Sequence, residues 1–276
     1  DLHSFPTRRS SDLMTVPQEW GGAGLDYVTY AMALEEIAAG DGAIAIVMSG
    51  HNSVGCMPIL EYGSQAQKER YLRPLAQGEM LCAFALTEAK GGSDAGALTT
   101  RAVRDDDGYV INGTKQFITT GKNAELTLVF AVTDPDQGKR GISAFIVPTN
   151  TPGYEVVRVE EKMGLNASDT AQLAFTDMRV SHDALLGAEG QGYRIALGNL
   201  EGGRIGIAAQ ALGMARAAFE VALEYAQERE AFGKAIMEHQ AVAFRLAEMA
   251  TQLEAARQLI WHAAALRSAG RKCLTE

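Results

Sequence analysis

The spacing of apolar residues near the start of the chain predicts helices. Tyr27–Ala39 is rich in helix-forming residues and is followed by Gly40, which favours a helix end at that point. A second apolar stretch, Ala43–Pro58, is interrupted by glycines and predicts a buried helix. Ser64 is a good N-cap for a third helix, which Gly78 would end. The first block of the chain is therefore predicted to be helical.

The middle of the chain consists of short runs of β-branched and aromatic residues, separated by polar turns that contain glycine. Asn112 and Gly113 lie between two such runs and predict a hairpin. The predicted β segments are Tyr109–Thr119, Leu126–Val132, Ile142–Val147, Tyr154–Val159 and Leu173–Val180. Short strands at this spacing are typical of an antiparallel barrel or sandwich.

Two long amphipathic helices are predicted in the last part of the chain, because apolar residues recur there with helical spacing. The apolar positions are Ile205, Ala208, Leu212, Ala215, Phe219 and Ala222, and then Val242, Leu246, Met249, Leu253, Ala256 and Ile260. Arg229–Lys234 lies between them and is predicted to link a helical hairpin. Helices of this kind need bundle partners, so we expect an incomplete bundle.

These blocks predict an α+β multidomain fold. The expected domains are a helical N-terminal domain at 14–80, an antiparallel β-barrel or sandwich at 81–187, and a partial C-terminal helical domain at 188–276. Residues 1–13 have neither a helical period nor the apolar core of a secretory signal. We expect them to be a disordered or non-native leader, with Met14 as the true start.

Composition narrows the classes of function. A formal net charge of -9 argues against nucleic acid as the main partner, since phosphate backbones need clustered lysine and arginine. No uninterrupted apolar run approaches the length of a membrane span, so no membrane is expected. The 3 cysteines are scattered and have no CxxC spacing, so we expect neither a disulfide framework nor a metal site.

Two polar segments in the middle block carry candidate chemistry. Phe84–Ala97 has the sequence FALTEAKGGSDAGA, and Lys115–Gly121 has the sequence KQFITTG. A flavin needs hydroxyl and N–H groups along one edge of its ring, an aromatic side chain against a face, and a glycine-rich turn at its diphosphate. Thr87 and Thr119 suit the edge and Phe117 a face, while Gly92 and Ser93 suit a phosphate. Each residue alone has an ordinary alternative as a strand or turn residue.

Taken together, residues from about Pro17 to Lys272 resemble an acyl-CoA dehydrogenase. The segments that carry the resemblance, in family order, are PQEWGGAGLDY, ALTEAKGGSDAGA, KQFITTG, KMGLNASDT, GRIGIAAQALG and REAFGK. Membership implies a helical N-terminal domain, a β middle domain and a C-terminal four-helix bundle, assembled as a homotetramer. Gly203 and the run after it look most like the short-chain (butyryl-type) or short/branched-chain members.

The resemblance also implies roles for single residues. The expected FAD-binding residues are Phe84, Leu86, Thr87, Gly92, Ser93, Phe117, Ile118, Thr119, Arg229, Phe232 and Gln240. Of these, Arg229 and Gln240 would reach the FAD of a neighbouring subunit. Substrate contacts are implied at Ser93, Glu201 and Arg204, the last two at the entry to the long helix, where a plain helix start is the alternative.

The implied reaction is α,β-dehydrogenation of an acyl-CoA thioester to a 2-enoyl-CoA, with electrons passed to electron-transfer flavoprotein. Its base would be a glutamate whose pKa is raised by burial. In most relatives this glutamate lies late in the chain, and in a minority it lies at the position of Gly203. Because Gly203 cannot act as a base, we expect the catalytic glutamate beyond residue 276. Glu88 is expected to have a structural role. The implied location is cytoplasmic, or the mitochondrial matrix in a eukaryote. The alternatives are an oxygen-using acyl-CoA oxidase or flavin monooxygenase on the same scaffold, and a non-catalytic binding protein.

Overall fold

The structure is a computed structural model that describes residues 14–275, so the expected leader at 1–13 lies outside the described residues. The chain forms two compact units. The first contains residues up to Leu25 and Val47–Gly203, and the second contains Asp26–Ile46 and residues from Arg204 onward. The three-domain division at 14–80, 81–187 and 188–276 stays a prediction.

The first block is helical, as predicted. Helix α1 (Tyr27–Gly40) is capped by Asp26, whose carboxylate accepts from the backbone N–H of Thr29 at 2.8 Å. Helix α2 (Gly42–Gly50) continues through a π-helical turn, His51–Cys56, into α3 (Met57–Tyr62).

The predicted N-cap at Ser64 is confirmed. Its hydroxyl accepts from the N–H of Gln67 at 3.2 Å, and the Gln67 side chain accepts from the N–H of Ser64 at 2.9 Å. This reciprocal pair satisfies two amide groups at the start of α4 (Gln65–Gln67). A π-helical turn at Lys68–Leu72 then leads into α5 (Arg73–Ala76), which ends just before Gly78.

The middle of the chain forms one eight-stranded sheet. Its strands are β1 (Cys82–Ala85), β2 (Arg101–Arg104), β3 (Gly108–Thr119), β4 (Leu126–Val132), β5 (Ile142–Pro148), β6 (Tyr154–Val159), β7 (Thr170–Ser181) and β8 (Leu185–Leu186). The strand order is β6-β7-β3-β2-β4-β5-β8, with β1 paired to β4. Most pairs are antiparallel, but β1 and β2 each run parallel to β4. The five predicted β segments are present, whereas β1, β2 and β8 were not predicted.

The predicted hairpin at Asn112 and Gly113 is wrong, because both residues lie inside the continuous strand β3. The irregularity that the Asn-Gly pair marks is a β-bulge between β3 and β7. The side chain of Asn112 accepts from the N–H of Asp177 at 2.8 Å, and Asp177 has a positive φ of 45°. A methyl group added at Gly113 would lie 2.5 Å from the Thr100 hydroxyl oxygen, which explains the glycine.

Strand β4 is buried on both faces and separates two hydrophobic clusters of the first unit. Leu126, Leu128 and Phe130 join the cluster formed with α3 and α5. Val129 and Ala131 point the other way, into a cluster formed among the strands themselves. The alternation of side chains along one strand therefore builds both layers of the unit.

The second unit contains two long helices, α6 (Gly192–Glu228, which begins in the first unit) and α7 (Gln240–Ser268), as predicted. They are joined by a short hairpin, β9 (Glu230–Ala231) and β10 (Lys234–Ala235). Within this unit the carboxylate of Glu35 on α1 is bonded to Arg257 on α7 at 2.9 Å. The backbone of α1 also approaches α6 closely, since a methyl group added at Gly213 would overlap the carbonyl oxygen of Glu35.

Two helical stretches, Gly42–Tyr62 and Gly192–Glu228, are long and apolar enough to cross a membrane by length and composition. The expectation that no apolar segment reaches the length of a membrane span therefore holds only for uninterrupted apolar runs. Core helices of soluble proteins pass the same test, so the finding is weak evidence for a membrane.

Candidate flavin site

The two polar segments singled out in the sequence lie side by side in the first unit. The backbone N–H of Gln116 on β3 donates to the carbonyl oxygen of Thr87 at 2.9 Å. The ammonium group of Lys115 donates to the carbonyl oxygen of Leu86 at 3.1 Å. These two bonds join the segment after β1 to the end of β3, so the fold brings together the halves that the sequence suggested.

A buried ion pair lies beneath this junction. Lys115 has no exposed side-chain surface, and its ammonium nitrogen lies 2.9 Å from a carboxylate oxygen of Glu88. The same carboxylate accepts from the N–H of Thr99 at 2.7 Å, from the Thr99 hydroxyl at 2.6 Å and from the N–H of Thr100 at 3.0 Å. Glu88 therefore has the structural position expected for it.

The protonation equilibria of the pair follow from these contacts. Burial alone would raise the pKa of Glu88, but the Lys115 ammonium and the donors of Thr99 and Thr100 hold it at about 2. Burial lowers the pKa of Lys115 to about 8, although Glu88 opposes the shift. Both pKa values are lowered, which favours the charged form of Glu88 but disfavours the charged form of Lys115, because the carboxylate collects four donors whereas the ammonium has two acceptors in place of its water shell.

Phe117 is turned out of the sheet by a β-bulge. The register of β3 against β7 shifts between Lys115 and Ile118, and Phe117 lies in the shifted segment with a φ of 58°. Its side chain is 61% exposed, while those of Lys115 and Ile118 are buried. A large aromatic residue held in the left-handed region and presented to solvent is a strained arrangement of the kind found at functional sites.

The candidate phosphate turn lies against Thr87. A methyl group added at Gly92 would lie 3.3 Å from Cγ2 and 3.5 Å from Oγ1 of Thr87, so the glycine keeps this approach open. Ser93 follows at the exposed surface of the turn. A bond from the N–H of Gly91 to the carbonyl oxygen of Glu88 at 3.1 Å closes a tight turn just before Gly92.

Four other predicted residues of the two segments are more enclosed. Phe84 is half-buried and packs on Phe130 with 4.7 Å between ring centroids. The side chains of Leu86 and Ile118 are buried in the hydrophobic clusters, so only their backbone groups are available to a cofactor. Thr119 is half-buried at the end of β3, opposite Thr170.

The remaining cofactor candidates lie in the second unit, at the connection between α6 and α7. Arg229 follows the end of α6, and Gln240 begins α7; both are exposed. Phe232 is at the tip of the hairpin with a φ of 56° and 97% of its side chain exposed. The fold thus groups Arg229, Phe232 and Gln240 with one another, and their contact with a flavin stays a prediction.

Glu201–Arg204 does not start a helix, contrary to the alternative considered above. Helix α6 begins at Gly192, so these residues lie within it, and Gly202 and Gly203 are buried helical residues. A methyl group at Gly203 would lie 3.4 Å from the Ser53 hydroxyl oxygen. Glu201 is half-buried and Arg204 is exposed.

Sequence reasoning missed Lys115. A signal was available, because the two-residue period of a strand that buries Tyr109 and Ile111 also places Lys115 on the inner face. A lysine at such a position needs a buried partner, and Glu88 of the neighbouring motif was the available acid.

Comparison with known proteins agrees with this geometry. The chain matches the family models of the acyl-CoA dehydrogenase N-terminal domain at 13–79, middle domain at 83–178 and C-terminal domain at 190–276. It is 50% identical over 258 residues to an acyl-CoA dehydrogenase of Bacillus subtilis, covering 94% of this chain and 68% of that protein. The chain therefore belongs to the acyl-CoA dehydrogenase family.

Solved structures give the same result. The butyryl-CoA dehydrogenase of Megasphaera elsdenii superposes with a TM-score of 0.92 at 44% identity, covering 94% of this chain and 69% of that one. A chain from a structure described as the electron transferring flavoprotein of Acidaminococcus fermentans has a TM-score of 0.92 at 46% identity, covering 94% and 68%. The chain thus spans about two thirds of the length of these relatives.

Proposed function

We propose that the protein carries out FAD-dependent α,β-dehydrogenation of short-chain or short/branched-chain acyl-CoA thioesters, giving a 2-enoyl-CoA. The observation that carries the proposal is the junction of the two polar segments, where Gln116 bonds to Thr87 and Phe117 is turned outward beside them. The named relatives, which include a butyryl-CoA dehydrogenase, support the substrate class.

FAD fits the residues at this junction. The exposed ring of Phe117 offers an apolar face for a flavin, and Thr87 and Thr119 have hydroxyl groups within the same two segments. The surface left open by the missing side chain of Gly92 gives a phosphate access to backbone N–H groups, with Ser93 as a hydroxyl donor. When bound, FAD accepts the two electrons that leave the substrate.

The protein's own residues bind and orient the cofactor, and a carboxylate must remove the α-proton of the thioester. Glu88 is unsuited to that role, because its four donors hold its pKa at about 2. Gly203 has no side chain to offer. We therefore propose that the base is a glutamate outside the described residues.

The test of cofactor binding is a titration of the 276-residue chain with FAD, followed by flavin fluorescence. We expect saturable binding, and we expect Phe117→Ala to weaken it by about tenfold, which corresponds to about 1.4 kcal/mol. Val103→Ala is the matched control, because Val103 is also a strand residue with 62% of its side chain exposed. Equal FAD affinity in wild type and Phe117→Ala would contradict a contact between the Phe117 ring and the flavin.

The test of the reaction uses the chain extended to the length of its relatives, loaded with FAD and mixed anaerobically with butyryl-CoA. Bleaching of the oxidised-flavin absorbance is the expected result. A fully loaded protein that no short acyl-CoA bleaches would overturn the proposal.

Electron-transfer flavoprotein is the proposed acceptor, supported by the Acidaminococcus fermentans structure. Slow reoxidation of the reduced protein by air, and fast reoxidation by that partner, are expected; fast reoxidation by air would favour the oxidase or monooxygenase alternative. We further propose a homotetramer in the cytoplasm, or in the mitochondrial matrix if the source is eukaryotic.

A further inference from the structure

The loop that carries the candidate phosphate turn is closed at both ends by one side chain. Glu88 begins the loop, and its carboxylate accepts from both backbone N–H groups at the far end, those of Thr99 and Thr100. The Thr99 hydroxyl adds a third bond. Gly92 and Ser93 lie between these anchor points, so the carboxylate fixes where the turn begins and ends.

Lys115 connects this closed loop to the strand that carries Phe117. Its ammonium group bonds to Glu88 at 2.9 Å and to the carbonyl oxygen of Leu86 at 3.1 Å. Lys115 also immediately precedes the bulge that exposes Phe117. One buried contact therefore links the turn that would hold a diphosphate to the residue that would face a flavin ring.

We propose that Glu88 and Lys115 form a positioning pair that sets the phosphate turn against the ring-binding strand, so that FAD affinity depends on the pair beyond its effect on folding. The inference rests on the proposed function. A buried ion pair is itself a weak source of stability, because desolvation offsets the attraction. The pair supplies geometry. An amide in place of the carboxylate gives up one of the two acceptor oxygens that join the loop ends, and loss of the ammonium removes the side-chain bonds from β3 to Glu88 and Leu86.

The test compares Glu88→Gln, Lys115→Met and the double variant with wild type. Thermal melting and circular dichroism measure folding, and a fluorescence titration measures the FAD dissociation constant of the folded protein. Each single variant leaves one buried group without its partner, so we expect a lower melting temperature. The double variant removes both charges and should regain part of that loss. Its FAD affinity should nevertheless remain at least tenfold weaker than wild type, since the ties between loop and strand are not restored.

The matched control is Glu69→Gln with Arg73→Met, an exposed pair of the same unit with a 3.0 Å contact. It should bind FAD as wild type does. A folded double variant Glu88→Gln/Lys115→Met with wild-type FAD affinity would overturn the positioning role while leaving the proposed function intact. Absence of FAD binding by wild type would overturn the proposed function as well.

A second measurement needs no variant. The N–H groups of Thr99 and Thr100 report the closure of the loop, so hydrogen exchange at these two residues should slow by about tenfold or more when FAD is bound. Exchange rates unchanged by FAD at saturation would contradict a loop that is coupled to the flavin site through Glu88.

Discussion

Glu88 makes the stability of the fold dependent on pH, and a single substitution at Glu88 can isolate this contribution. Its pKa in the folded protein is about 2, against 4.5 for an ordinary glutamate. Well above pH 4.5 the carboxylate is ionised in both the folded and the unfolded chain, and its contribution to stability is fully present. As the pH falls towards 2, the unfolded chain binds a proton before the folded one does, and the contribution is lost.

The size of this contribution follows from the shift. The difference between 4.5 and about 2 corresponds to about 3 kcal/mol when the window is crossed completely, and about 2 kcal/mol of it is lost between pH 6 and pH 3. Lys115 adds no slope there, because its pKa of about 8 keeps it protonated throughout. Glu88→Gln has no titrating group at this position, so its stability lacks this component.

The assay is urea unfolding of wild type and Glu88→Gln between pH 6 and pH 3 at constant ionic strength. Wild type should be the more stable protein at pH 6, and its advantage should shrink by about 2 kcal/mol at pH 3. Other carboxylates titrate in both proteins and cancel in the difference. An advantage that stays constant within about 0.5 kcal/mol over this range would refute the reasoning.

Three further predictions concern packing and are checked by the midpoint of urea unfolding. Gly113→Ala should destabilise the first unit by about 1–3 kcal/mol, because the new methyl group would overlap Thr100; wild-type stability would contradict the close approach. Gly213→Ala should destabilise the second unit by about 2 kcal/mol although alanine favours helices, because the new methyl group would overlap the carbonyl oxygen of Glu35. Gly40→Ala is the control and should not destabilise it, since no atom lies within 4 Å of its new methyl group. Equal effects of the two substitutions would contradict the close approach of α1 to α6. Phe145→Ala, at a fully buried ring, should cost about 3–5 kcal/mol, and a loss below about 1 kcal/mol would mean that the cluster is not packed as described.

Local sequence patterns predicted those helices and strands that are determined by their own residues. The helix that starts at Ser64 follows from its N-cap, and the strands Leu126–Val132 and Tyr154–Val159 have the bounds that their sequences indicate. The Asn-Gly pair misled because the irregularity it marks is shared with another strand. The side chain of Asn112 accepts a hydrogen bond from Asp177 on β7, and the sequence near Asn112 does not indicate that partner.

The flavin segments show the same division between local and non-local information. Their residue types suggested the cofactor, but the exposure of Phe117 depends on a bulge in the pairing with β7. A strict two-residue period would have placed Phe117 on the inner face together with Lys115. The period thus identifies the buried lysine correctly and fails at the next inward position, where the extra residue reverses the direction of the side chains.

The parallel pairing of β1 with β4 has a consequence for synthesis on the ribosome. The N–H of Leu81, just before β1, bonds to Glu125, which is 44 residues further along the chain. Because a nascent chain emerges from its N-terminal end, β1 leaves the exit tunnel 44 residues ahead of its neighbour β4. Until then its backbone is an unpaired edge that can associate with other chains. A segment on which cofactor binding would depend therefore waits for its partner strand as an open edge while the sheet is being made.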